Sequence, residues 1–337
     1  MTDYFATLSE FRALLKAQPD PDPQALAAAA DHNMQLTKPP AALGQLEDLA
    51  LWYRSWRAGP LTAIAAPQVI VFAGNHGVAA RGVSAFPAEV TAQMVMNFEH
   101  GGAAINQIAG SVGAMLDVVS IDLDRPTDDF TQGPAMSEAD FLTALKQGWD
   151  AVNPSADLLV VGEMGIANTT AAAALACAML GGEAADWTGR GTGVDDAGLT
   201  LKTKVVAEGV VLHQGQGDGM ETLRRLGGRE IAAMAAAIAR ARHLRIPVIL
   251  DGFICSAAAL ALVKTQDGAL DHTVAGHLSA EGAHDKLLQA LGKKPLLSLG
   301  LRLGEASGGA LAIGILKAAL ACHAGMATFA QAGVTDA

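Results

Sequence analysis

LLVVGEMGIANTTAAAAL, residues 158–175, decides how the rest of the chain is read. Leu158 to Val161 is a short aliphatic run rich in β-branched side chains. Gly162 ends it, Gly165 follows, and Asn168 and Thr169 stand where they can cap an alanine-rich helix. A strand, a glycine turn and a helix N-terminus in that order form an anion site. Free N–H groups and the positive helix end point outward, and Gly165 lets a ligand approach the main chain. Neither G-x-G-x-x-G nor G-x-x-x-x-G-K-[ST] occurs, so the dinucleotide fingerprint and the P-loop are both unmet. A mononucleotide phosphate fits such a turn; a purely structural glycine turn is the alternative.

Outward from this stretch the same pattern recurs. Val69 to Ala73, Leu116 to Ile121, Val248 to Asp251, a weaker His272 to Ala275, and Leu296 to Leu299 read as further strands, mostly short and apolar throughout. Helical stretches separate them, which predicts a parallel sheet covered on both faces. Ligands of such sheets bind outside the carboxyl ends of the strands. Those ends here read Gly74-Asn75-His76-Gly77, Asp122 to Asp124, Gly162 to Gly165, Asp251-Gly252, Gly276-His277 and Gly300 to Glu305. Met1 to Ala58 reads as helical, broken by prolines between Pro19 and Pro23 and at Pro39-Pro40. Trp52 and Trp56 form a packing stripe there, with ligand stacking as the alternative.

With 337 residues, 51% of them hydrophobic and 37 of them glycine, the composition is that of an ordered, alanine-rich α/β protein. A net charge of −11 disfavours nucleic acid or an anionic membrane as partner, though a local basic pocket for one phosphate remains compatible with it. Cys177, Cys255 and Cys322 are far apart, odd in number and set among apolar residues, so they read as buried cytoplasmic thiols. The start of the chain has no basic-then-apolar export signal, and cytoplasmic residence is expected. The weakly charged stretches from Met164 to Gly182 and from Ala306 to Val334 read as buried core helices of a soluble protein, not as membrane spans.

Several residues could carry chemistry. Gly191, Thr192 and Gly193 form a second glycine loop, followed by Asp195 and Asp196 as caps of the helix that holds Lys202. Lys202 is either a phosphate ligand or a solvated helix lysine. Glu305 stands at the head of an expected helix from Ala310 to His323. A carboxylate there is favoured with no function at all; flanking glycines and the positive helix end would also keep it ionised and able to accept a proton. Glu163 and Asp251 either hydrogen-bond a ribose hydroxyl or order a loop. Phe86 and Met94 either pack in the core or wall a flat aromatic ligand. The histidines show no metal-ligand spacing, so no metal is expected, and no Ser-His-Asp triad can be argued around Ser256.

Six collinear blocks carry a resemblance: AGNHGVAARGVSAFPAEVTAQMV, VGEMGIANTTAAAAL, GRGTGVDDAGLTLK, VILDGFICSAAALAL, GHLSAEGAHDKLL and LSLGLRLGEASGGALA. From about Pro67 to Val334 the chain resembles the nicotinate-nucleotide–dimethylbenzimidazole phosphoribosyltransferase family. The resemblance implies a mostly parallel, roughly six-stranded Rossmann-like α/β sheet covered by helices. It also implies a small helical domain from the chain ends: residues 1–60 would contribute to it, and residues 61–337 would form the large domain. A homodimer that needs no cofactor is implied as well. The implied reaction moves 5-phosphoribosyl from nicotinate mononucleotide to 5,6-dimethylbenzimidazole, giving α-ribazole 5′-phosphate and nicotinate with inversion. By position, the resemblance makes Glu305 the proton acceptor and Lys202 the phosphate lysine. Gly165, Ile166, Asn168, Thr169 and Thr170 become the phosphate and ribose cradle, with Gly191 to Gly193 beside it. Phe86, Met94, Met164, Ser279 and Leu303 would hold the base. Two competing readings are a catalytically silent nucleotide sensor and a Rossmann-type dehydrogenase; the latter lacks its glycine fingerprint.

Overall fold

A computed structural model of the chain describes residues 4–59 and 63–335, so the expected boundary at 60/61 lies outside the described residues. Six strands form one sheet in the order β2-β1-β3-β4-β5-β6, with every neighbouring pair parallel. They are β1 (Pro67–Ala73), β2 (Met115–Ser120), β3 (Leu158–Met164), β4 (Val248–Leu250), β5 (Thr273–His277) and β6 (Pro295–Leu297). β1 and β3 are fully or almost fully buried, which is why they are apolar at every position instead of alternating. β2 and β6, at the two edges, are only partly buried.

All six expected strands occur, with shifted ends that have local causes. β4 stops before Asp251 because the Asp251 carboxylate turns back to accept the Gly309 N–H at 2.8 Å. β5 runs two residues past Ala275, through Gly276. A side chain at Gly276 would meet Gly309 Cα at 2.8 Å, so the missing Cβ lets the strand pass under a helix.

Helices cover both faces. On one, Glu138–Asp150, Asn168–Leu180, Arg229–His243 and Phe253–Val263 bury the larger apolar cluster. Their small residues allow close backbone approach: a Cβ at Gly148 would lie 2.0 Å from the Ala233 carbonyl oxygen. On the other face, Gln45–Trp56, Ala104–Ser111 and Ser307–Gly325 bury the second cluster. Ser307–Gly325 is long and apolar enough to cross a membrane by length and composition, but here it lies across the sheet against β3 to β6.

The chain ends meet beyond this second face. Leu36 bridges to Thr328, and the rings of His32 and His323 pack edge to face. Trp56 is buried against His272, while Trp52 donates its N–H to the Asp271 carbonyl at 3.0 Å, so both tryptophans serve packing.

The strand order reverses direction between β1 and β3, the point where doubly wound sheets leave a crevice. There Gly74 N–H donates to the Met164 carbonyl at 3.0 Å. A Cβ at Gly165 would lie 2.7 Å from the Gly74 oxygen. The bare Gly165 backbone is therefore needed first for packing the two strand ends together, not only for a ligand's approach.

Candidate active site

Loops after β3 to β6, with the Gly191 loop, surround a narrow cleft of about 90 Å³. Ten expected residues line it: Glu163, Met164, Gly165, Ile166, Asn168, Thr169, Gly191, Thr192, Ser279 and Leu303. A larger cavity of about 630 Å³ lies at the meeting point of the chain ends. Its charged residues, Lys38 and Glu47, are paired with each other at 2.8 Å, and none of the expected site residues lines it. Lys202 and Glu305 line neither space: Lys202 reaches the smaller cleft only through Thr169, and Glu305 follows Gly304 of its lining.

Asn168 and Thr169 do not cap their helix as expected. Ala167 takes the cap position in a left-handed conformation (φ 75°), and neither side chain bonds to the helix N-terminus. Asn168 instead donates its amide N–H to the Glu163 carboxyl, and Thr169 Oγ1 accepts from Lys202 Nζ at 2.7 Å. Thr170 is fully buried and does not line the cleft.

Lys202 is not a solvated helix lysine. It sits on the helix Asp196–His213, which Asp195 caps by accepting the Gly198 N–H at 2.8 Å. Its side chain is buried and turned under the Gly191 loop, where a Cβ on Gly191 would stand 3.1 Å from Nζ. Burial brings the ammonium down to about 8, with the charge of Glu281 opposing.

Glu305 is buried just behind Gly304, and the helix that follows begins at Ser307, earlier than expected. Glu305 and Ala306 both have positive φ, 58° and 61°. Two successive non-glycine residues in that region cost roughly 1–3 kcal/mol each and persist only where packing holds them. The packing is visible: a Cβ on Gly162 would lie 2.1 Å from the Ala306 nitrogen. Burial therefore works against the helix end expected to keep Glu305 ionised: it pushes the carboxyl up to about 7, and the nearby Asp251 adds to the rise.

Glu163 is buried and held well above the usual carboxylate range by desolvation, which Asn168 opposes and Asp251, Glu230 and Glu305 reinforce. This environment favours the protonated form, which can donate a hydrogen bond. Asp251 does not reach the cleft; it orders the head of the Ser307–Gly325 helix through Gly309 and acts on Glu305 by charge.

Ser256 Oγ lies 3.0 Å from His284 Nε2. His284 Nδ1 accepts from the Ser279 N–H at 2.9 Å, so the ring proton sits on Nε2 and is donated to the serine. Burial, followed by His277, brings His284 down to about 4. This pair anchors Ser279 and cannot activate a nucleophile.

Phe86 and Met94 do not reach the cleft. Phe86 is 50% exposed on the loop before the helix Glu89–Glu99, and Met94 packs against the second core cluster. Phe253 and Ile254 take the apolar wall instead, at the start of the helix after β4. Glu281, Arg302 and Gly304 complete the lining; their signal was position alone, since all three follow strand ends. Gly193 belongs to the glycine loop but does not line the cleft. Among the described residues, no group of three or more His, Cys, Asp or Glu is placed to hold a metal.

A family model described as a phosphoribosyltransferase (DBI_PRT) matches residues 18–334. A nicotinate-nucleotide–dimethylbenzimidazole phosphoribosyltransferase of Ruegeria pomeroyi is 71% identical over 98% of both chains. One of the same description from Roseobacter denitrificans is 65% identical over the whole of both. Among solved structures, CobT from Thermus thermophilus superposes with a TM-score of 0.88 at 40% identity, covering 94% of this chain and 100% of that one.

Proposed function

The chain belongs to the nicotinate-nucleotide–dimethylbenzimidazole phosphoribosyltransferase family, and from that premise we propose how its cleft performs the transfer. The enzyme moves 5-phosphoribosyl from nicotinate mononucleotide to 5,6-dimethylbenzimidazole, releasing nicotinate and α-ribazole 5′-phosphate in cobalamin nucleotide-loop assembly. One observation carries the assignment of roles. Lys202, Thr169 and Gly191 converge at one wall, and the loop bearing Glu305 stands at another wall of the same cleft.

The nucleotide's phosphate sits at the Lys202 wall, where the buried ammonium and the glycine loop favour negative charge. Met164, Leu303, Phe253 and Ile254 give a flat base an apolar seat, and Ser279 and Glu163 offer polar contacts to base and ribose. The nicotinate ring nitrogen carries positive charge in the nucleotide, so its bond to the anomeric carbon breaks with the electron pair returning to a neutral ring. One benzimidazole nitrogen attacks that carbon from the opposite face, which makes the N–H at its other nitrogen acidic. Glu305, ionised, takes that proton.

The two site groups predict the pH dependence. Glu305 must be deprotonated, so kcat/KM rises as pH passes about 7, and Lys202 must be charged, so it falls as pH passes about 8. Chromatography of nicotinate and α-ribazole 5′-phosphate across this range tests both statements. Failure to form these products at any pH would refute the activity, and a flat profile would refute the two roles.

The same reading extends to a homodimer in the cytoplasm, with the chain ends forming a small helical domain. Support comes from the family resemblance, from the free thiols Cys177, Cys255 and Cys322, and from the contact of the helix Pro23–Gln35 with the last helices.

A further inference from the structure

Arg302 is the one cation among the described residues that line the cleft. It lies on the exposed loop between β6 and the helix Ser307–Gly325. Its Nη1 donates to the Gly191 carbonyl at 3.2 Å, across 111 residues of sequence. Among the described residues, no carboxylate pairs with it, although Glu163 and Glu281 line the same cleft. Gly191 is thus approached from two sides, by Lys202 near its α-carbon and by Arg302 at its carbonyl.

We propose that Arg302 is a second phosphate-binding arm, which exchanges the Gly191 carbonyl for the nucleotide's 5′-phosphate and so ties the Glu305 loop to the bound substrate. The proposal rests on the phosphoribosyl-transfer reading. Three observations lead to it. A phosphate monoester carries about −1.5 to −2 charge at neutral pH, and one buried lysine that discharges near pH 8 does not balance it. A guanidinium stays charged and presents a fork that matches phosphate oxygens. The cleft, at about 90 Å³, is well below the roughly 300 Å³ or more of sites for small organic ligands, so its lining has to open when substrate enters, and the 3.2 Å bond from Arg302 to Gly191 joins two of the lining loops. The arm also has a reason to be on this loop: Arg302 is three residues from Glu305, and Gly300 and Gly304 both take positive φ, 72° and 80°. Phosphate binding remote from the reacting carbon would then fix the proton acceptor.

Arg302→Gln and Arg302→Lys, at an exposed position, are tested for their effect on nicotinate mononucleotide turnover and on inhibition by inorganic phosphate and by nicotinate. Arg302→Gln is expected to raise the KM for the nucleotide and the inhibition constant of inorganic phosphate by about tenfold each. Nicotinate inhibition should stay within about twofold, and Arg302→Lys should recover part of the loss. Weakened nicotinate inhibition with phosphate unchanged would overturn the proposal, since the arm would then read the ring carboxylate. No change in any constant would overturn it too, leaving Arg302 a brace for Gly191. If the wild-type protein releases no nicotinate, the transferase reading fails by itself. Calorimetry of inorganic phosphate with the wild type and Arg302→Gln then still decides the arm: weaker binding to the variant supports it, and equal binding overturns it.

Discussion

Glu305→Gln is expected to lower turnover by roughly 10²-fold or more while leaving the KM for nicotinate mononucleotide within a few-fold of wild type. The amide keeps the size and polarity of the carboxyl but cannot take a proton from the incoming benzimidazole. A second readout separates this from misfolding. The Glu305 carboxyl has a folded-state value of about 7 against an ordinary 4.5, so the native state binds its proton more tightly than the unfolded chain does. Ionisation therefore costs native stability, and the cost grows as pH rises from 4.5 to about 7. Glutamine never ionises, so the Tm of the variant should gain on that of the wild type across this window and stay ahead above it. Lower activity together with higher Tm at pH 8 is the expected combination. Unchanged turnover would remove Glu305 from the mechanism, and a lower Tm would mean that its carboxyl supports the fold.

Lys202→Met is expected to raise the KM for nicotinate mononucleotide by roughly 10- to 10²-fold, the equivalent of about 1.5–3 kcal/mol for a hydrogen bond to a charged group. The methionine side chain is apolar and flexible, and it suits a site where the lysine is already buried, so the fold should survive. The loss should be confined to ligands that carry the phosphate: inhibition by nicotinate, which has none, should stay near the wild-type value. Equal weakening of both would show that the lysine shapes the cleft without meeting phosphate.

Much of this was legible in the sequence because strand ends announce themselves. Apolar runs closed by glycine, acid or amide residues marked all six strands and hence the crevice side of the sheet. Lys202 and Glu305 were ambiguous as residues, and only the collinear blocks around them gave each a role. What stayed hidden depends on tertiary packing. The helix carrying Lys202 shows no sharp apolar stripe, so nothing local says that this lysine turns inward. The left-handed backbone at Ala167, Glu305 and Ala306 falls on residues with no intrinsic preference for it, and at Glu305 and Ala306 it goes with the close packing of Ala306 on Gly162. That same packing buries Glu305 beside Asp251 and works against the expected effect of the helix end on its charge. Phe86 and Met94 looked suited to a base pocket by type and position. Neither lines the cleft, whose apolar lining joins the expected Met164 and Leu303 to Phe253 and Ile254, which as sequence are just the opening of another buried helix.

The most direct measurement is a crystal structure of this protein with α-ribazole 5′-phosphate bound. It should place a Glu305 carboxylate oxygen at about 2.6–3.2 Å from the benzimidazole nitrogen not joined to the sugar, with the phosphate on Lys202. A base nitrogen met instead by Glu163, or by no carboxylate, with Glu305 turned away, would contradict the account.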